Sequence, residues 1–402
     1  MAEFFKVVRF GEAQKLLRDN FPPLQTEKVE LSRSLNRVLA RDVLSHEDMP
    51  AFERSTVDGY AVRARDTFGS TESIPGFLTL KGEVLMGQEP GFSIGQSECA
   101  WVPTGAMLPS GADGVVMMEY TEKLGEDTVL VSRPVGPYDN VIRIGEDSRW
   151  GEVIFSRGSR LRAQDIGVLA ALGVTEVKVF SPMHMGIISS GDEIVPINEV
   201  PTVGQVRDVN SYTLAAVITN IGGIPRTYGI IPDNRDLLSQ GLEKALEENE
   251  VVLLSGGSSV GERDFSLEVL LSFPDSELLF HGVATRPGKP TLAVRIGEHL
   301  VVGLPGHPVA AFMMFTVLCA PLLGPVPARQ VRAVLNANVA SQAGRDDFLR
   351  VELSDSGEGM VATPVYGKSG LIRILSLADG FVHIPYEKQG FKAGEPVLVT
   401  LF

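Results

Sequence analysis

Between residues 185 and 323 short apolar runs alternate with stretches of helical spacing. MGIISS (185–190), RTYGII (226–231), VVLLSG (251–256) and LVVGLPG (300–306) read as strands. Between and after them, NSYTLAAVITNIGG (210–223), RDLLSQGLEKALEEN (235–249), DFSLEVLLSF (264–273) and VAAFMMFTVLCAPLL (309–323) read as helices. The paired Gly222 and Gly223 predict a stop for the first of these helices. Buried strands alternating with amphipathic helices predict an open parallel sheet with helices on its faces. Such sheets bind ligands at the carboxyl ends of their strands.

The flanks have a different pattern. FGEAQKLLRDN (10–20) has helical spacing and ends before Pro22-Pro23, while VELS (29–32) and VLARDVLS (38–45) are strand-like. From 46 to 146 the stretches LTLKGEVLMG, CAWVPTG, GVVMMEY and TVLVSRPV, separated by Gly, Pro and charged turns, have β texture. AQDIGVLAALGVTEVKVF (163–180) reads as a helix stopped at Gly173, then a strand. Pro321, Pro325 and Pro327 mark a linker, and the remainder predicts a small β-barrel or sandwich of about 75 residues.

Composition narrows the function. A chain of 402 residues exceeds one ordinary core, so about two to four domains are expected. A net charge of −14 argues against a general nucleic-acid binder but leaves room for local cation clusters around a small anion. Cys99 and Cys319 make neither a disulfide framework nor a zinc ribbon, and Cys319 sits in an apolar run that predicts burial. The N-terminus has no apolar core followed by a cleavage site, and no run reaches the roughly 18 apolar residues of a membrane span. A cytoplasmic protein with neither membrane nor nucleic-acid partner is expected.

The loop after VVLLSG carries the sharpest motif question. Gly256 to Gly261 has P-loop spacing, but Glu262 and Arg263 stand where Lys and Ser/Thr belong, which argues against a Walker-type NTPase. Gly257 to Gly261 also fits G-x-S-x-G, making Ser259 a candidate nucleophile with His307 as base; a plain strand-to-helix turn, with Asp264 as N-cap, competes with that reading. Asp58-Gly59 reads as a hairpin turn. Other charges recur after strands: Asp192 and Glu193, Asp233, then Arg286 and Lys289 in a Pro-stiffened turn. On a parallel sheet these share one edge, where basic groups hold an oxyanion and carboxylates hold Mg²⁺.

Nine ordered segments carry a resemblance over nearly the whole chain: MPAFERSTVDGYAV, PTGAMLPSGADGVVMME, VIRIGED, LAALGV, ISSGDE, VNSYTLAA, LLSGGSSVGERD, RPGKP and GLPGHPVAA. Together they resemble the molybdopterin molybdenumtransferase family, MoeA and the gephyrin E domain. The resemblance implies insertion of molybdenum from molybdate into adenylylated molybdopterin, with AMP release and Mg²⁺. It also implies an elongated homodimer, with each active site formed between the sheet domain of one subunit and the β domain of the other. An adenylylating enzyme handing over its product and cofactor-accepting apoenzymes are the further partners. The implied fold is multidomain α/β plus β: a linking and dimerisation domain (1–45 with 147–178), a mainly β lid-like domain (46–146), an α/β molybdopterin-binding domain (179–325) with a mainly parallel sheet, and a C-terminal small β-barrel (326–402).

By position, Asp58 and Thr104 are the β domain's implied contribution. Asp147, Glu193, Asp233 and Asp264 match acidic positions for substrate and Mg²⁺, with Glu193, Asp233 and Asp264 as metal ligands. Arg286, Lys289 and Pro290 match the molybdate-binding turn, which Arg350 and Ser369 complete. Gly256, Gly257 and Ser259 would line the pterin-phosphate end. The chain departs from the family pattern at Ser258, at His307 where Asn is usual, at Ala310 where a hydroxyl is common, and at Asn234, which interrupts an acidic pair. A tungstate preference and a non-catalytic scaffold role are the alternatives.

Overall fold

The structure, a computed structural model, describes residues 7–256, 265–324 and 328–402. It divides into two compact units: Met1–Ala40, Gly158–Arg162 and Glu176–Phe402 form one, Arg41–Arg157 and Ala163–Thr175 the other.

The first unit contains the expected α/β alternation: β1 (His184–Ser190), α1 (Asn210–Ile221), β2 (Ile224–Ile231), α2 (Arg235–Glu248), β3 (Val251–Ser255), α3 (Phe265–Leu271), β4 (Ser276–His281), β5 (Leu292–Ile296), β6 (His299–Leu304) and α4 (Pro308–Met314). The sheet order is β2-β1-β3-β6-β5-β4. The apolar runs are continuous because helices cover both faces, so alternate residues enter different cores. On β3, Val251 and Leu253 join one apolar cluster, while Val252 and Leu254 join the other. Each such fully buried side chain contributes about 1.5–3 kcal/mol of hydrophobic stabilisation. The N-terminal helix Phe10–Asn20 buries Phe10, Ala13 and Leu17 in the first of these clusters.

The sheet is mainly parallel, with an antiparallel edge that periodicity does not predict. The strands β2, β1, β3 and β6 run parallel. β5 leads through Gly297-Glu298 into β6 as an antiparallel hairpin, and β4 is antiparallel to β5. Register then decides position: His281 lies opposite Leu292, and Leu292 opposite Gly303. The connection 282–291 therefore emerges on the same edge as the carboxyl ends of the parallel strands, although β5 runs the other way.

Helix α2 explains one departure. Asn234 Oδ1 accepts hydrogen bonds from the N–H groups of Asp236 and Leu237, so this residue is the helix N-cap. Helix α4 passes into a wider turn at Phe315–Cys319, where burial pushes the Cys319 thiol up to about 12.

The C-terminal strands β7 (Gln330–Leu335), β8 (Asp346–Asp355), β9 (Met360–Pro364), β10 (Gly380–Ile384) and β11 (Pro396–Leu401) close a five-stranded barrel, in the circuit β8-β9-β7-β11-β10-β8. Its interior packs Leu335, Val351, Ala362, Val382 and Val399. The short strand Thr285–Arg286 pairs in parallel with the start of β8, Thr285 beside Asp346 and Arg286 beside Asp347. That pairing joins the barrel wall to the 282–291 connection.

The second unit is built on a six-stranded sheet in the order Gly114–Met117, Gly59–Val62, Glu98–Val102, Gly76–Glu83, Thr128–Val131 and Thr121–Leu124. Asp58-Gly59 is not a hairpin turn, contrary to the sequence expectation. Gly59 opens a central strand, opposite Val102 on one side and Met117 on the other. A Cβ at Gly59 would stand 2.0 Å from Val116 O, so close strand approach, not turn geometry, requires the glycine. The strand expected over 29–32 is displaced to Thr26–Glu30, with a 3-10 turn at Leu31–Arg33.

Candidate oxyanion and phosphate site

A concavity of about 980 Å³ opens within the first unit where the 282–291 connection, the loop after β6 and the barrel wall meet. Arg286, Lys289 and Pro290 line it from the connection, Arg350 from β8, and Ser369 from the loop after β9, as the resemblance implied. His307 and Ala310, two of the departures, line it as well. Arg345, Lys368 and Tyr366 are further lining residues without an expected role. Five cationic side chains thus face one carboxylate, Asp347, against the −14 of the whole chain. Loop and barrel cations come together only through the pairing of Thr285–Arg286 with β8, which is why their spacing in sequence does not reveal them.

Arg350 is the most telling of these cations. It is only 9% exposed, its Nε has no hydrogen-bond partner among the described residues, and its Nη2 makes long contacts to Val365 O (3.4 Å) and Gly367 O (3.5 Å). Burial, then the nearby charge of Arg286, lowers its pKa. A buried guanidinium with unmet donors is costly unless an anion completes it. Arg345 is held differently: its Nε donates to Asp347 at 2.8 Å, Ser341 Oγ donates to the same carboxylate at 2.9 Å, and Arg286 stands 3.9 Å away. Gly288 (φ 101°) permits the turn between these cations, since a Cβ there would lie 2.1 Å from Met314 Cγ.

Acidic groups gather along the same strand edge. Asp233, after β2, accepts a hydrogen bond from Ser190 Oγ at 3.1 Å, and its N–H donates to Asp192 at 3.0 Å. The Glu193 carboxylate folds back over Gly191, 2.7 Å from where a Cβ would be. Among the described residues no three His, Cys, Asp or Glu side chains group closely enough to hold a metal ion. The third expected ligand, Asp264, lies outside the described residues, as do Gly257 and Ser259. Hard carboxylate oxygens on adjacent strand ends are the donor type Mg²⁺ takes, with one or two carboxylates per ion. Gly256 directly follows β3 at φ 102°, so close to β1 that a Cβ would meet Ser190 O at 2.0 Å.

A buried polar layer lies beside these ends and was missed from sequence. Asn210 Nδ2 donates to Ser255 Oγ (2.6 Å) and to Gly306 O (2.9 Å), while Asp208 accepts from Ser189 Oγ (3.0 Å) and the Ser211 N–H (3.1 Å). The only sequence signal was polar residues opening an amphipathic helix.

In the second unit, the antiparallel register of Gly59 with Val102 sets Asp58 beside Thr104. The Asp58 carboxylate accepts from the Thr104 N–H at 2.7 Å and from its hydroxyl at 2.8 Å. Those two bonds, the backbone one first, hold its pKa below the usual carboxylate value. Asp147 is an exposed turn residue whose N–H donates to Met49 O at 3.0 Å.

Three family-sequence models match the chain in order: "MoeA N-terminal region (domain I and II)" over residues 8–173, "Probable molybdopterin binding domain" over 186–325 and "MoeA C-terminal region (domain IV)" over 332–402. The chain belongs to the MoeA family. This MoeA-family chain is 30% identical over 406 residues to the molybdopterin molybdenumtransferase of Haemophilus influenzae, covering 98% of itself and 99% of that relative. It is 30% identical over 380 residues to the molybdopterin molybdenumtransferase of Staphylococcus aureus, covering 93% and 90%. The crystal structure titled as a molybdopterin biosynthesis MoeA protein from Pyrococcus horikoshii superposes with a TM-score of 0.85 at 33% identity, over 99% of this chain and all of that one (100%). As a MoeA-family member the chain is a transferase of molybdenum cofactor biosynthesis. No helix among the described residues is long and apolar enough to cross a membrane.

Proposed function

We propose that this MoeA-family transferase inserts molybdenum from molybdate into adenylylated molybdopterin and releases AMP, with Mg²⁺ bound at the strand-end carboxylates. The observation that carries the reading is Arg350: a buried guanidinium whose Nε has no hydrogen-bond partner among the described residues, in a cavity lined by four further cationic side chains. Molybdate is a tetrahedral dianion, which Arg, Lys and Ser donors bind as they bind phosphate. Arg286, Lys289 and Arg350 hold its oxygens, and Ser369 supplies a neutral hydroxyl. The cavity volume of about 980 Å³ leaves room for an organic ligand beside the oxyanion.

Asp233 and Glu193, with Asp264, would hold Mg²⁺, which supplies charge neutralisation on phosphate oxygens when bound. Ser190 and Asp192 fix the orientation of the Asp233 side chain and backbone. The chain then works by positioning two anionic reactants and screening their repulsion, with no covalent intermediate on the protein.

The test supplies adenylylated molybdopterin, molybdate and Mg²⁺ to the purified protein and measures AMP. Molybdate-dependent release is expected; no release with both substrates present would overturn the reading. The homodimer belongs to the same proposal, and light scattering that returned the mass of one chain would remove it.

A further inference from the structure

His307 and Ser369 are 62 residues apart in sequence, yet Ser369 Oγ and His307 Nδ1 lie 2.9 Å apart on the cavity wall. The Val309 N–H donates to Ser369 O at 3.1 Å, which ties the two loops together beside that pair. We propose that His307 sets which way the Ser369 hydroxyl hydrogen points, and thereby couples oxyanion binding in this cavity to proton uptake. The proposal rests on the reading of the cavity as an oxyanion site.

The argument is one of donors and acceptors. A hydroxyl has a single hydrogen to give, whereas a neutral imidazole has one donor nitrogen and one acceptor. If neutral His307 accepts at Nδ1, the Ser369 hydrogen is spent on the ring, and the hydroxyl turns lone pairs toward an incoming anion. A solvent proton taken up by the ring makes Nδ1–H a donor to Ser369 Oγ. The Ser369 hydrogen is then free to donate to an oxyanion oxygen, and the ring adds a positive charge. His307 is thus a positioning residue acting through Ser369.

The charged groups lining the cavity are mostly cations, so the negative charge that would favour a protonated ring has to arrive with the ligand. Arg286 and Lys289 come from the connection, Arg345 from the turn before β8, Asp347 and Arg350 from β8, and Tyr366 and Lys368 from the loop that carries Ser369. With Asp347 engaged by Arg345, a bound dianion is the strongest negative charge available to a protonated ring. Binding and protonation therefore assist each other, as linkage requires.

The experiment titrates molybdate into the full-length protein by calorimetry, across the pH range in which imidazole titrates and in buffers of different ionisation enthalpy. Wild type is expected to bind more tightly as pH falls, approaching the limit of about tenfold per pH unit for one linked proton, with net proton uptake. H307N, which can donate from its amide without titrating, is expected to bind with a flat pH profile and no proton uptake. S369A is expected to bind more weakly and to lose most of the slope. Binding by wild type with no proton uptake, or an H307N slope equal to wild type, overturns the coupling while leaving the oxyanion site intact. No binding by wild type at any pH overturns both.

Discussion

Asp58 and Thr104 are joined twice, the Thr104 N–H and hydroxyl both donating to the one carboxylate oxygen, at 2.7 and 2.8 Å. The pair follows from strand register: Asp58 precedes Gly59, and Thr104 follows Val102, the residue opposite Gly59. Both bonds favour the ionised form and lower the Asp58 pKa. Their stabilising effect is therefore fully present above the unfolded carboxyl value, about 3.9, and is lost as pH falls through the lower folded value. Carboxyl NMR should show Asp58 titrating below ordinary aspartates. Thr104→Val should shift it only part of the way back, because the backbone bond remains; a full return to the ordinary value would assign the whole effect to the hydroxyl.

Arg350 should trade stability for binding. Arg350→Met removes a desolvated charge with unmet donors and keeps an apolar stem of similar length, so the fold should gain about 1–3 kcal/mol. Molybdate binding should fall by at least tenfold, because a charge-assisted donor is lost. Denaturant unfolding and calorimetric titration of one preparation measure both. A variant that is less stable yet binds normally contradicts the role given to this residue.

Asp347 tests how the cavity is held. Asp347→Asn removes the buried charge and leaves one acceptor oxygen where Arg345 and Ser341 now use two, which should cost about 2 kcal/mol of barrel stability. It also deletes the one carboxylate lining the cavity, so molybdate should bind several-fold more tightly at low salt, with the gain fading as ionic strength rises. Salt-independent binding equal to wild type would show that Asp347 does not shape the field.

Gly256 marks the entrance to the loop whose sequence looked like a phosphate cradle. Gly256→Ala adds a methyl where Ser190 O stands 2.0 Å away, in a left-handed conformation of φ 102°. Overpacking and the left-handed penalty together should destabilise by about 3 kcal/mol, seen as a lower thermal midpoint. A midpoint unchanged from wild type would mean that β1 and β3 part more easily at this edge than their packing indicates.

The amino-acid sequence determined most of what depends on local period, though not the Asp58-Gly59 segment, whose turn-like pair opens a central strand. Continuous apolar runs beside amphipathic stretches specified the strands and helices of the α/β sheet, since burial on two faces leaves Ser255, at the carboxyl end, as the one polar residue of β3. The cluster RPGKP and the acids after successive strands were visible because a parallel sheet brings its strand ends to one edge. Tertiary structure alone decided what depends on register and closure. The antiparallel turn-back of β5 left no periodic signal, yet it brings Arg286 and Lys289 to the acidic edge. Barrel closure placed Arg345, Asp347 and Arg350 against that turn through the pairing of Arg286 with Asp347. The contact of His307 with Ser369 belongs to the same class. Local sequence specifies how a segment coils, but a site assembled from segments tens of residues apart is specified only when their backbones pair and pack.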